Sequence, residues 1–178
     1  MFAVTDRLLL RPGWAEDAEA LAAAIGDEAI VRNLARAPWP YARSDAEAFL
    51  ASMADAPLPA FIVTRRADAT IVGACGFSYA PSGEIELGYW IARAHWGLGY
   101  ATEAARAALD IARTLGWPRV EAGAFTDNPD SARVLEKLGF EPTGVHARRF
   151  SCGRGVEAIS ELRMLELAGG AHEGAQAA

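Results

Sequence analysis

The stretch HWGLGYATEA, from His95 to Ala104, decides how this sequence folds. Gly97 and Gly99 lie one residue apart, after a segment of strand character and directly before a segment of helical character. Glycines at such a junction adopt backbone angles that other residues avoid, and the first N–H groups of a helix have no acceptor inside the helix. The junction is therefore either a site for an anion such as a diphosphate or a tight turn, and the glycines alone do not separate these alternatives.

The periodicity of the sequence changes across this junction. Apolar residues occupy every second position of the upstream segment: Ile85, Leu87, Tyr89 and Ile91. This alternation predicts a strand with one buried face and places Glu86 on the other face. Downstream, small and apolar residues recur at helical spacing: Ala101, Ala104, Ala105, Ala108, Ala112 and Leu115. We expect a helix over 101–115, ended by Gly116 and Pro118.

The rest of the chain alternates short strands with amphipathic helices. Further strands are predicted in residues 6–12, 60–66, 71–80, 119–125, 141–150 and 156–167, and a further helix in residues 16–25. Ser44 followed by Glu47 predicts a capping box before another helix. Asn128 followed by Pro129 predicts the start of a helix that runs to Leu138.

These elements predict the α/β class, of a mixed α+β type, with one mixed sheet and helices on its faces. We expect a single domain over residues 1–167, because no linker or repeat interrupts the pattern. Residues 168–178 are small and polar, and we expect a disordered tail there.

Composition excludes several classes of function. The chain has 178 residues, 52% of them hydrophobic, and a formal net charge of −6, which argues against a nucleic-acid partner. No segment has the length of apolar chain that crosses a membrane, and no signal peptide is visible, so we expect a cytoplasmic protein. Cys75 and Cys152 are predicted to be small buried thiols, and no spacing of ligand residues indicates a metal.

Two other phosphate-binding motifs fit the glycine loop poorly. A Walker loop requires Lys and Ser or Thr after its last glycine, whereas Tyr100 and Ala101 follow Gly99. A dinucleotide fingerprint requires a third glycine where this chain has Thr102, although Glu121, about twenty residues later, suits a ribose-binding acid. A sheet built from hairpins is also the wrong setting for that motif, so a nicotinamide-binding domain is kept as a minor rival.

Two longer segments carry a resemblance to a known family. YWIARAHWGLGYATEA (89–104) together with NPDSARVLEKLGF (128–140) resembles the GNAT superfamily of acetyl-CoA-dependent N-acetyltransferases. The similarity is greatest to its branch of ribosomal-protein N-terminal acetyltransferases, which TDRLLLRP and EIELGYWI also resemble. The resemblance spans about residues 5–165. It implies the GNAT fold, in which a twisted, mostly antiparallel sheet splays open at the coenzyme site and carries helices on both faces.

The resemblance also implies a coenzyme site. Backbone amides of one loop would surround the diphosphate of coenzyme A: those of Gly97, Leu98, Gly99, Tyr100, Ala101 and Thr102. Backbone groups near Ile91 would pair with the pantetheine arm as an added strand does. The Asn128 side chain would hold pantetheine as well, although a helix cap is an adequate alternative role.

The chemistry of acetyl transfer requires a proton acceptor and a stabiliser for the leaving thiolate. A terminal α-amine has a pKa of about 8 and a lysine amine about 10.4, so both arrive largely as ammonium. Glu86 is the candidate base, and its alternative role is an exposed strand glutamate. Many members of the superfamily carry a tyrosine as the acid at the position of Leu135. This chain instead has Ser131, which matches a serine of the branch, and proton release to water would also be sufficient.

The resulting expectation is an enzyme that transfers acetyl from acetyl-CoA directly to a primary amine. The preferred acceptor is a protein N-terminus, a preference that comes from the branch resemblance, with a small-molecule amine as the alternative. Because the usual tyrosine is absent, a non-catalytic acyl-CoA-binding module is a second hypothesis. No metal, nucleic acid or membrane is expected to take part, and a homodimer is left open.

Overall fold

A computed structural model of the chain describes residues 1–167. Within these residues eight strands form one sheet: β1 (Ala3–Val4), β2 (Leu8–Arg11), β3 (Ala60–Arg65), β4 (Ile71–Tyr79), β5 (Ile85–Ile91), β6 (Arg119–Phe125), β7 (Glu141–Ser151) and β8 (Val156–Glu166). The same part of the chain forms five α-helices: α1 (Ala18–Ile25), α2 (Glu28–Val31), α3 (Arg43–Ala54), α4 (Tyr100–Thr114) and α5 (Pro129–Lys137). The tail predicted to be disordered, 168–178, lies outside the described residues.

The sheet has the strand order β1-β2-β3-β4-β5-β6-β8-β7. Neighbouring strands are antiparallel except β5 and β6, which are parallel. The expected mixed, mostly antiparallel sheet is therefore confirmed. Since α4 connects β5 to β6, the glycine loop does lie in a parallel strand–helix–strand unit. The expectation that the sheet around this loop is built from hairpins is wrong at this one crossover.

Apolar side chains pack on both faces of the sheet, as the period-two patterns predict. On β3, Phe61 and Val63 belong to the cluster that contains α4 and α5, whereas Ile62 belongs to the cluster that contains α1 and α3. Small alanines on α4 let that helix pack closely on the sheet: Ala104, Ala105, Ala108 and Ala112. The expected helices on both faces are confirmed.

The sheet opens between β5 and β6. Strand β4 pairs with β5 from Gly73–Ile91 to Tyr79–Ile85, and β6 pairs with β8 over its full length. By contrast, the described structure pairs β5 with β6 at a single position, Glu86 with Glu121. The part of the sheet beyond this pair, where β5 runs on to Ile91, is called the sheet opening below.

Two helix starts differ from the sequence-based expectation. Helix α3 begins at Arg43, and the Asp45 carboxylate accepts a hydrogen bond from the N–H of Ala42 (2.8 Å), so the capping box predicted at Ser44 and Glu47 is wrong. Glu47 instead pairs with Arg43 one turn earlier. The short helix α2 and strand β1 have no clear sequence signal, because each is too short to show a period.

The turn between β1 and β2 anchors the start of α4 through one carboxylate. Glu103 accepts hydrogen bonds from the Thr5 hydroxyl (2.6 Å), the Arg7 N–H (3.0 Å) and the Arg7 guanidinium (2.7 Å). The same guanidinium donates to the Leu98 carbonyl (2.9 Å) in the glycine loop. This anchor fixes the loop against the edge of the sheet.

Replacing Glu103 by Gln is expected to lower the free energy of unfolding at pH 7 by about 1–2 kcal/mol, because charge-assisted hydrogen bonds are lost. Burial alone would raise the pKa of Glu103, but the hydrogen bonds from Thr5 and Arg7 hold it below its usual 4.5. A carboxyl whose pKa is lowered by folding stabilises the fold above its unfolded pKa and loses that contribution as the pH falls. The difference between variant and parent, measured by urea unfolding, should therefore shrink below pH 4.5.

Asp110→Asn on the same helix is the matched control, because its pair with Arg113 is exposed. That variant should change the stability by less than about 0.5 kcal/mol. Equal losses in the two variants would contradict the anchoring role of Glu103.

Candidate functional site

The glycine loop is a left-handed turn that ends at the first residue of α4. Gly97 and Gly99 have φ angles of 75° and 79°, a region that residues with a Cβ atom rarely occupy. Gly99 caps the helix and Tyr100, expected in the loop, is its first residue. The two glycines are therefore required by the backbone itself, whatever the loop binds.

Backbone donors of this loop are left without acceptors. In residues 1–167, no hydrogen bond is formed by the N–H groups from Gly97 to Thr102, and the first helical donor is Glu103, which bonds to the Gly99 carbonyl (3.1 Å). These six groups lie at the positive end of the α4 dipole. The negative charge in this first turn, Glu103, is neutralised by Arg7. The loop is therefore suited to an anion.

Basic side chains add to this potential on one side of the loop. A cavity of about 430 Å³ is lined by Asp6, Arg7, Arg65, Arg66, Ala67 and Tyr100. The Arg7 guanidinium lies 4.8 Å from the centre of the Tyr100 ring, so the first residue of α4 is part of this wall.

A tryptophan ties the end of β5 to the loop. The indole N–H of Trp96 donates to the Ile91 carbonyl (2.7 Å), and the residue is 45% exposed. Ile91, predicted to pair with pantetheine through its backbone, therefore already carries one hydrogen bond on its oxygen. A carbonyl has a second lone pair, so the bond does not exclude a further donor.

The start of α5 brings two predicted site residues together. The Asn128 side-chain oxygen accepts a hydrogen bond from the Ser131 N–H (3.3 Å), which confirms the expected cap. Its amide nitrogen donates to no acceptor in the described residues, so the cap leaves that group free for another role. The Ser131 hydroxyl lies 2.9 Å from the hydroxyl of Tyr89, which reaches it from β5.

Glu86 is buried, not exposed. It lies on the opposite face of β5 from Tyr89, and the residue is 6% exposed. Arg149 of β7 forms an ion pair with one carboxylate oxygen, and Arg36 lies 3.4 Å from the other. The alternative of an exposed strand glutamate is therefore wrong, and no local pattern in the sequence points to either arginine.

Glu121 lies beside Glu86 on the neighbouring strand. Burial and the adjacent Glu86 charge raise the pKa of Glu121, whereas Arg149, 3.8 Å away, opposes the rise. Its place in the middle of β6, next to an ion-paired glutamate, does not suit the ribose-binding role of a dinucleotide site. The side chains of Glu86 and Glu121, which Arg149 bridges, are called the carboxylate pair below.

The predicted residues thus lie in two groups on opposite faces of β5. The loop with Ile91, and Asn128 with Ser131, lie on the side of α4 and α5, and Glu86 lies on the side of α1 and α3. In the described part of the chain, no group of three or more His, Cys, Asp or Glu residues is arranged to hold a metal ion. No helix in that part is both long and apolar enough to span a membrane.

The two thiols differ from each other. Cys75 is buried, as expected, and burial raises its pKa to about 12. Cys152 is exposed, so the expectation of a buried thiol is wrong there, because the residue lies in the turn between β7 and β8.

The sequence matches one protein family and is similar to curated members of that family. The family described as "Acetyltransferase (GNAT) domain" matches residues 7–141. An uncharacterized N-acetyltransferase, p20, of Bacillus licheniformis is 30% identical over 149 residues, which are 79% of this chain and 83% of the relative.

Solved structures share the fold at lower identity. An acetyltransferase of the GNAT family from Bacillus anthracis has a TM-score of 0.80 at 23% identity, over 93% of this chain and 98% of that one. A ribosomal L7/L12 α-N-protein acetyltransferase in complex with coenzyme A has a TM-score of 0.77 at 15% identity, over 94% and 98% of the two chains.

Replacing Arg149 by Met is expected to lower the free energy of unfolding at pH 7 by about 3 kcal/mol, because two buried carboxylates lose their shared cation. Folding raises the pKa of Glu121 above its usual 4.5, so this group favours the fold when protonated and less as the pH rises through its folded pKa. The loss should therefore be larger at pH 7 than near the usual carboxyl pKa, as measured by denaturant unfolding at both pH values.

The double variant Arg149→Met with Glu86→Gln tests whether charge explains the loss of stability in Arg149→Met. It should be more stable than Arg149→Met alone, because removing the Glu86 charge ends its repulsion of Glu121, which Arg149 no longer offsets. A double variant less stable than the single one would show that Arg149 acts by packing rather than by charge.

Proposed function

The chain belongs to the GNAT family of acetyl-CoA-dependent N-acetyltransferases, and on that premise we propose that it acetylates the α-amine of a protein N-terminus. The observation that carries the coenzyme half of this proposal is the row of six unpaired N–H groups, Gly97 to Thr102, beside the sheet opening. The acceptor half is supported by the resemblance of the two long motifs to those of ribosomal-protein N-terminal acetyltransferases, and by the fold shared with a ribosomal L7/L12 α-N-protein acetyltransferase.

The donor is proposed to bind across the sheet opening. The loop N–H groups would bind the diphosphate, and the free edge of β5 would accept the pantetheine arm as an added strand. The amide nitrogen of Asn128, which the helix cap leaves free, would donate to a pantetheine carbonyl from the start of α5. These positions direct the thioester toward Ser131.

The carboxylate pair is proposed to receive the acceptor on the other face. Arg149 holds one oxygen of Glu86, and the second oxygen is contacted by Arg36, whose side chain is 66% exposed. An acceptor ammonium has the same charge as this guanidinium and would replace it there. Glu86 then accepts the ammonium proton, directly or through water, and the free amine attacks the acetyl carbonyl.

Positioning supplies much of the rate in such a direct transfer. Two bound reactants in reactive geometry avoid most of the entropic cost of a bimolecular encounter. An α-amine, with a pKa of about 8, loses its proton more readily at neutral pH than a lysine amine, with a pKa of about 10.4. This difference favours an N-terminal acceptor where the base is a carboxylate held by arginine.

Gly97→Ala is expected to weaken binding of coenzyme A at least about tenfold, because a Cβ atom disfavours the positive φ angle that aligns the loop N–H groups. A Cβ atom at Gly97 would contact no protein atom within 4 Å, so the effect would not come from a clash inside the protein. Calorimetric titration with coenzyme A measures the affinity.

Gly116→Ala is the control for this variant. Gly116 also has a positive φ angle (74°) and open space around it, but it lies at the opposite end of α4. Its cost in stability should match that of Gly97→Ala while the affinity for coenzyme A stays at the parent value. Equal affinity in both variants would contradict the proposed role of the loop.

A panel of acceptors tests the proposed substrate class. The protein is incubated with acetyl-CoA and three sets of amines: peptides with free N-termini, the same peptides with blocked N-termini and one internal lysine, and small amines such as polyamines and amino acids. We expect acetylation, detected by mass spectrometry, of the free N-termini in preference to the other two sets.

Preferential acetylation of small amines would overturn the proposal of an N-terminal acceptor, but the acetyltransferase activity itself would be supported. Tight binding of acetyl-CoA without turnover of any acceptor, including proteins of a cell extract, would favour the non-catalytic acyl-CoA-binding module instead.

A further inference from the structure

A pair of hydroxyl groups crosses from β5 to α5 beside the sheet opening. The Tyr89 hydroxyl lies 2.9 Å from the Ser131 hydroxyl and 3.3 Å from the Ser131 carbonyl oxygen. The two residues are 42 positions apart in the chain, so the contact depends on the tertiary fold. No tyrosine follows Tyr100 in the sequence, and Tyr89 therefore brings to α5 a phenol that α5 itself does not contain.

The environment of Tyr89 keeps its phenol protonated. Burial raises the pKa of Tyr89 to about 12, partly opposed by the hydrogen bond with Ser131. Cys75 faces Tyr89 across the β4–β5 pair, and it stays neutral as well because burial raises its pKa to about 12. At neutral pH both groups keep their protons, so the phenol is a hydrogen-bond donor.

The direction of the hydrogen bonds decides what Ser131 does. A serine hydroxyl has one proton and two lone pairs, and its proton rotates to suit its surroundings. When the Tyr89 phenol donates to the Ser131 oxygen, the serine proton is directed to another acceptor. In the described residues the Ser131 hydroxyl has no hydrogen-bond partner other than Tyr89, so its proton is available to a ligand bound at the start of α5, where the proposed coenzyme path ends.

We propose that Tyr89 is a positioning residue for acetyl transfer: its hydroxyl donates to Ser131 and thereby directs the serine O–H toward the sulfur of coenzyme A. This inference rests on the coenzyme site of the proposed function. In the reaction a C–N bond forms and the C–S bond breaks, and sulfur leaves with the electron pair as a thiolate. The Ser131 O–H donates a hydrogen bond to that thiolate.

The protons balance without a net change on either hydroxyl. The acceptor nitrogen loses two protons through Glu86 or water, one from the ammonium before the attack and one after the C–N bond has formed. The thiolate takes one proton from solvent after the transfer, so one proton is released overall. Ser131 and Tyr89 end the cycle with the protons they began with. Their contribution is to stabilise the developing negative charge, as preorganised donors do.

The test measures the thiol of bound coenzyme A directly, with no acceptor present. The ultraviolet absorbance of the thiolate is followed against pH for the complex of the full chain with coenzyme A, and the complex with desulfo-coenzyme A is subtracted. A donor to the thiolate lowers the thiol pKa. Tyr89→Phe and Ser131→Ala should therefore each raise the pKa of the bound thiol, by about one pH unit.

Two controls separate positioning from a general loss of structure. The double variant should raise the thiol pKa no further than Ser131→Ala does, because both hydroxyls act through one hydrogen bond. Tyr79→Phe, which removes an exposed hydroxyl on β4, should leave it unchanged. Tyr89→Phe should also lower kcat about tenfold with an unchanged KM for acetyl-CoA, since it alters the stabilisation of the transition state alone.

An unchanged thiol pKa in Tyr89→Phe, with coenzyme A still bound, would overturn the positioning role and leave the proposed function intact. A chain that binds no coenzyme A would overturn the coenzyme site itself, and the inference with it. A raised thiol pKa in both single variants, with no further rise in the double variant, supports the proposal that Tyr89 positions the Ser131 hydroxyl.

Discussion

The opening between β5 and β6 begins where two carboxylates meet, and the rest of the site depends on how they are held. In the described residues Glu86 and Glu121 form the one pair between these strands, and both side chains are buried on one face. Two negative charges so placed repel each other, and Arg149 from β7 contacts both. The arginine therefore stabilises the point from which the sheet opens.

The opening gives the two faces of the sheet different chemical roles. One face carries the helices α4 and α5. The loop before α4 has N–H groups without an acceptor in the described residues, and Ser131 at the start of α5 meets the Tyr89 hydroxyl of β5. The other face carries the carboxylate pair. A thioester bound in the opening would have hydroxyl donors near its sulfur and a proton acceptor on the side from which an amine approaches. This division suits a direct transfer, in which no nucleophile of the protein is needed.

Most of the fold was predictable from local patterns. The alternation in β5 and the alanine face of α4 identify both elements without reference to the rest of the chain, because each is long enough to show its period. The capping box predicted at Ser44 and Glu47 is wrong because the helix begins one residue earlier than Ser44. Ala42 is the N-cap residue, and its N–H donates to the Asp45 carboxylate. The parallel β5–β6 crossover is not evident from the sequence because the strands directly before it, β3, β4 and β5, are joined by short turns.

The site was predictable only where a motif is contiguous. The loop and the start of α5 follow from short runs of sequence, whereas Arg149 pairs with Glu86 across 63 positions and Arg7 with Glu103 across 96. No local pattern relates such residues. The position of Tyr89 was partly predictable. It lies two residues after Leu87 on a strand, which places it on the face covered by α4 and α5. Its contact with Ser131 depends on how α5 packs on the sheet, which the local sequence does not indicate.

The proposed coenzyme site depends on the N–H groups from Gly97 to Thr102, which would bind the diphosphate of coenzyme A. The most direct measurement is a ¹H–¹⁵N spectrum of the protein titrated with coenzyme A and, separately, with pantetheine, which lacks the diphosphate. We expect large downfield shifts of these six amide protons with coenzyme A and small ones with pantetheine. Coenzyme A binding that leaves these amide signals in place, while others shift, would show that the loop does not hold the diphosphate.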